Sequence, residues 1–133
     1  MGTVRIPENI LKQECEKIFI AAGVPEADAA LVADTLIATD ARGIHSHGVI
    51  RAARYIDCIK AGGIKAAVVP QILNDSPSCI RLSAAGGLGI PAAIKATDMA
   101  IERAKKYGVA VATVNHSDHY GAAGIYSLRC ADQ

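Results

Sequence analysis

Apolar positions in the first forty residues recur with helical spacing. Over residues 8–22, ENILKQECEKIFIAA, the side chains of Leu11, Cys15, Ile18, Phe19 and Ala22 fall on one face, with Lys12, Glu16 and Lys17 opposite. Gly23 follows at once, in the position where a helix C-terminus favours glycine. Pro25 suits the first turn of a second helix, with Glu26 and Asp28 near its positive end. That helix is expected to run to about residue 40, burying Ala29, Val32, Ala33, Leu36 and Ile37, and to break at Gly43. A third is expected from Gly48 to the Gly62–Gly63 pair, with Ser46 as its cap.

The pattern then changes period. VVPQILND and SCIRLS, within residues 68–83, read as two short strands around the turn residues Asn74, Asp75, Ser76 and Pro77. Pro70 makes the first an edge strand or delays its start. SAAGGLGIPAA is a glycine-rich turn into a helix from about Pro91 to Tyr107, which Gly108 stops. VAVATV, residues 109–114, is continuously apolar, as a strand covered on both faces would be. NHSDHYGAAG reads as a polar loop before a last helix that starts near Gly121. The fold class is therefore α/β. Residues 1–66 form a helical segment, and 67–133 the β-β-α-β-α start of a mixed sheet. A buried strand needs neighbours on both sides, and few are offered, so the chain reads as the front part of something larger.

Composition narrows the partners. With 133 residues, 51% of them hydrophobic, a core can form, and the net charge is +1. Lys and Arg are dispersed, and one Phe with no Trp gives no stacking platform, so nucleic acid is not an expected partner. No apolar run approaches the ~20 residues of a membrane span. The opening MGTVRIPENILKQECEK is charged, without a signal-peptide core, and its Met-Gly start fits the myristoylation pattern poorly. No membrane association and a cytoplasmic location are expected. Cys15, Cys58, Cys79 and Cys130 form no CxxC pair and are expected as reduced thiols packed like small hydrophobes.

Three patterns could carry chemistry. Gly87-x-Gly89-x-x-Ala92 matches the dinucleotide fingerprint formally. However, the next strand ends at Asn115 where an acidic residue is wanted, and the preceding strand lies in an apparent hairpin rather than a parallel βαβ unit. A tight turn with close helix packing is the better reading. The four histidines, His45, His47, His116 and His119, come in two close pairs and could form a metal site, although zinc sites usually add Cys or anchor ligands on regular elements. Finally, His47, Arg51 and Tyr55 follow at intervals of four, so a helix beginning at Gly48 would align them in one stripe. The guanidinium and the helix start suit a carboxylate, the imidazole can move a proton near neutral pH, and Ser46 can hold a substrate oxygen or orient the ring. A solvated helix start with Tyr55 half-buried is the competing reading.

DARGIHSHGVIRAARYID, residues 40–57, resembles the signature of the type-2 malate/L-lactate dehydrogenase family. The opening helix pair, YIDCIKAGGI, GGLGIPAA, AIERAKKYGVAVATV and NHSDHYGAAGIYS resemble the family in order and spacing, over essentially the whole chain. The resemblance implies hydride transfer between NAD or NADP and a small-molecule 2-oxo or 2-hydroxy acid. It implies catalytic roles for His119, the proton donor or acceptor, and for His47 and Ser46 in the substrate pocket, and it implies that Arg51 and Tyr55 bind substrate. His45 and His116 are expected to support these residues, no residue is assigned to a metal, and cofactor-binding residues are not assigned. The family's sheet architecture is non-Rossmann, its members are longer, and they are typically homodimers. A truncated N-terminal portion without the cofactor domain is therefore expected, pairing as a homodimer or with the missing C-terminal portion. The alternatives are a non-catalytic fragment that folds with a partner chain, and a histidine-based metal-binding domain.

Overall fold

A computed structural model describes residues 5–133; the Met-Gly start lies outside the described residues. In chain order the elements are α1 (Glu8–Ala21), α2 (Glu26–Ala41), a single 3-10 turn (His45–His47), α3 (Arg51–Lys60), β1 (Gln71–Asp75), β2 (Cys79–Ser83), α4 (Gly89–Tyr107), β3 (Val111–Asn115) and α5 (Ala123–Ala131). This is the expected α/β order of helices followed by β-β-α-β-α.

The main core joins the helical half to the glycine turn. Cys15 and Phe19 of α1, Val32 and Leu36 of α2, Tyr55 and Ile56 of α3, and Leu88, Ile90 and Ile94 at the start of α4 form one buried cluster. The helical stripe of α2 is buried as its spacing requires, whereas Ile18 of α1, expected on the inner face, is 50% exposed. A smaller cluster of Ile80, Leu82 and Ala96 lies between the sheet and α4, with Ala112, Val114 and Met99 packed against it.

The sheet order is β1-β2-β3. β1 pairs antiparallel with β2 and begins directly after Pro70, as an edge strand. β2 pairs in parallel with β3. This corrects the expectation that β2 lies in a hairpin and not in a parallel βαβ unit. A strand has two edges, and β2 uses one for the hairpin and the other for β3, with α4 as the crossover. It also corrects the expectation that β3 is covered on both faces. Alternate residues Val111, Thr113 and Asn115 are exposed, because α4 covers only one side of the sheet. Two of the cysteines depart from expectation as well: Cys79 and Cys130 are exposed, while Cys15 is buried and pushed up to about 11 by that burial.

Candidate functional site

The first histidine turn is closed by a carboxylate from the preceding helix. Asp40, in the last turn of α2, accepts the Val49 N–H at 2.7 Å through Oδ2, and its Oδ1 lies 2.9 Å from His45 Nδ1. The chain can come this close only because residue 48 is glycine; a Cβ there would collide with the Asp40 carboxylate. Asp40 therefore satisfies an amide at the entry to α3 from nine residues upstream. Ser46, expected as that cap, makes no cap bond; α3 begins at Arg51, after the 3-10 turn, and Ser46 Oγ is instead hydrogen bonded to His47 Nδ1 at 2.9 Å. The Nε–H of Arg51 donates to the Ser46 carbonyl oxygen at 2.6 Å, which folds the guanidinium back over the turn.

The second turn follows β3. The His119 N–H donates to Asp118 Oδ1 at 2.6 Å, and the Gly121 N–H donates to His119 Nδ1 at 3.2 Å. The carbonyl oxygens of Asp118 and His119 lie against Gly89 where a side chain would begin, so a Cβ at Gly89 would overlap them. Gly87 is filled in the same way, by Val68 and the Ala84 carbonyl. The glycine turn does sit between a strand and a helix of a βαβ unit, yet the space a pyrophosphate would need is occupied by protein. This is the close-packing reading of those glycines, and the dinucleotide cradle does not fit there.

Three of the singled-out side chains meet directly. The Tyr55 hydroxyl and His119 Nδ1 are 2.6 Å apart, and the rings of His47 and His119 lie with centroids 5.4 Å apart. Tyr55 is 1% exposed, fully inside the core rather than half-buried, and burial pushes its phenol up to about 12 against the opposing pull of Arg51. Burial, then Arg51, His47 and Arg54, hold the His119 imidazole below its usual value, with Asp118 opposing. Ser46 joins through His47 and Arg51. His45 and His116 face elsewhere. The first sits on Asp40, and the second lines a polar cleft of about 560 Å³ with Lys65, Gln71, Ser83, Ser117 and Asp118. Among the described residues no three His, Cys, Asp or Glu side chains are placed to share an ion.

The cluster is partly open. Neither that cleft nor the neighbouring one of about 460 Å³, walled by Tyr120 and Tyr126, is lined by His47, Arg51, Tyr55 or His119. Chemically, the arrangement offers an imidazole biased toward neutrality, a second imidazole beside it, and a guanidinium that can meet an anion. Sequence reasoning missed Asp40, Asp118 and Arg54. Asp40 opens the DARGIHSHG stretch and Asp118 directly precedes His119, but a cap nine residues distant and a helix start wedged under a loop leave no periodic signal.

The family model described as malate/L-lactate dehydrogenase matches residues 6–133. A malate dehydrogenase of Pyrococcus abyssi is 42% identical over 98% of this chain, which covers 36% of that protein. A ureidoglycolate dehydrogenase (NAD(+)) of Escherichia coli is 33% identical over 96% of the chain and 37% of its own length. The solved malate dehydrogenase of Entamoeba histolytica superposes with a TM-score of 0.95 at 36% identity, over 98% of this chain and 37% of that one. The chain thus spans little more than a third of the length of these relatives.

Proposed function

Because the chain belongs to the malate/L-lactate dehydrogenase family, we propose that its histidine cluster serves the interconversion of a 2-oxo acid and a 2-hydroxy acid, with NAD or NADP as the hydride carrier. Arg51 and the turn at its side hold the acid's carboxylate. His119 exchanges a proton at the oxygen that the reaction converts between carbonyl and hydroxyl, and His47, tied to Ser46, flanks that oxygen. The observation that carries this reading is the meeting of His47, His119 and Tyr55 beside Arg51. The nicotinamide enters only through the family. The filled glycine turn offers it no cradle, so no residue of this chain is assigned to it and no step is derived through it.

Location and assembly stand on the same footing. Among the described residues no helix is long and apolar enough to cross a membrane, and a cytoplasmic, homodimeric protein without nucleic-acid partners is the proposal. The chain spans 36–37% of the relatives' length, so a second reading follows. The exposed Val69, Ile72, Leu73, Val109 and Val111 favour a chain that presents the acid–base cluster to a partner and does not turn over by itself.

One experiment tests both. The chain is mixed with NADH or NADPH and a panel of 2-oxo acids, cofactor oxidation is followed, and the His47 and His119 ring signals are watched by NMR. Saturable, acid-dependent oxidation supports the first reading. Saturable ring shifts without oxidation support the second. Neither signal with any acid removes the site.

A further inference from the structure

His119 sets its Nδ1 against two neighbours at once. The backbone N–H of Gly121 points at it from 3.2 Å, and the Tyr55 hydroxyl lies 2.6 Å away. A backbone amide can only donate, so the nitrogen it meets carries a lone pair and not a hydrogen. Tyr55 must then donate as well, and the neutral ring must carry its hydrogen on Nε2. Nε2 itself is bonded to no described residue.

Neither donor can readily turn away. The Tyr55 ring is buried against Phe19, with centroids 6.4 Å apart, in the core that α1, α2 and α3 share. Gly121 takes a φ of 81°, a left-handed backbone natural to glycine, and a side chain there would point toward Ile90 and Thr35. The His119 backbone is held on its other side by Asp118 and by the close approach to Gly89.

We propose that Tyr55 is a positioning residue rather than a substrate ligand: with the Gly121 amide it locks His119 as the Nε2–H tautomer, so the ring offers a hydrogen-bond donor to a substrate oxygen. The part played toward substrate rests on the functional reading above; the tautomer does not. A carbonyl oxygen accepts such a donor. A hydroxyl that must lose its proton would need a lone pair on Nε2, and the ring reaches that form only by giving up the Gly121 bond and turning the Tyr55 hydroxyl from donor to acceptor. The resting site is thus set for the oxo member of the couple.

The test uses the full chain with ¹⁵N-labelled histidine and no substrate. His119 signals are identified by their absence in His119→Gln. The expected spectrum shows an unprotonated Nδ1 and a protonated Nε2 in the neutral ring. Tyr55→Phe keeps the ring in the core and removes only the hydroxyl. There the Nδ1–H fraction should grow and the titration midpoint should rise by about half a unit to one unit, since a donor to the neutral form has been lost. A hydrogen on Nδ1 in the unchanged chain overturns the proposal, and that spectrum decides even where the variant does not fold. An unchanged tautomer and midpoint in folded Tyr55→Phe overturn it too. Because no turnover is measured, failure of the dehydrogenase reading leaves this result standing, and the converse also holds.

Discussion

The two histidine turns deliver imidazoles to one place by different means. The turn at residues 42–49 is tied by hydrogen bonds to one carboxylate, Asp40, and its His45 remains largely in solvent. The turn at 116–121 is wedged: its carbonyls press on the start of α4, and its histidine rests on a tyrosine from α3. Each turn sends one histidine inward and one outward, His47 and His119 against His45 and His116. A tether of hydrogen bonds can lengthen or swing, whereas a wedge of backbone against backbone cannot. The first turn should therefore fail gradually under substitution and the second abruptly.

The largest effect tests the inward and outward assignment. His119→Ala should lower turnover about 10²–10⁴-fold, as loss of a proton-exchanging group does, under conditions where the panel of acids supports turnover. His45→Ala removes only a hydrogen bond from a solvent-exposed ring to Asp40, worth under about 1 kcal/mol, and should leave turnover nearly unchanged. Equal losses in the two variants would erase the distinction. Next comes the wedge against the tether. Gly89→Ala drives a methyl group into the backbone of Asp118 and His119 and should cost about 1–3 kcal/mol of stability in urea unfolding. Gly48→Ala meets only the Asp40 side chain, which can rotate aside by giving up its bonds to Val49 and His45, and should cost less than Gly89→Ala. The reverse order would show that the 116–121 turn yields more easily than the packing implies.

The tether itself is a smaller matter. Asp40→Ala leaves the Val49 amide and His45 without their acceptor and should cost about 1–2 kcal/mol. Ser46→Ala, at the position the sequence singles out as the cap, should stay within about 0.5 kcal/mol, since Ser46 caps nothing. Unfolding curves for the two variants decide which residue closes the turn.

That pair also marks what a sequence discloses. Phe19 and Leu36 are buried where helical spacing puts them, because a repeating pattern reports a surface that faces one way along its whole length. The stripe of His47, Arg51 and Tyr55 was legible for the same reason, although His47 stands on a 3-10 turn before the helix rather than in it. His119 entered through resemblance alone; nothing in the local pattern distinguishes it from His116 three residues earlier. Asp40 escaped because a carboxylate near a helix end is ordinary until the chain doubles back onto it. The partner of β3 escaped for a related reason: an apolar run declares that a strand will be covered, not which edge it takes or how many faces are covered. Gly89 was read correctly as close packing, but the backbone it packs against lies about thirty residues away and is visible only in three dimensions.

The smallest expected effect, and the one that separates the turns most directly, is a pH slope. Folding holds His119 below the ordinary imidazole value, first by burial and then by Arg51, His47 and Arg54. The native state therefore favours the neutral ring. Its contribution to stability is complete above the unfolded value of about 6.5 and is lost as pH falls through the lower folded value, because the unfolded chain then binds the proton more readily. The loss is small, since the ring is partly exposed and Asp118 opposes the shift. Between about pH 7 and about pH 5 the unchanged chain should lose more stability than His119→Gln, whose side chain does not titrate. Parallel curves would mean that the wedge presses on the His119 backbone without desolvating its ring, and the two turns would then differ in mechanics but not in electrostatics.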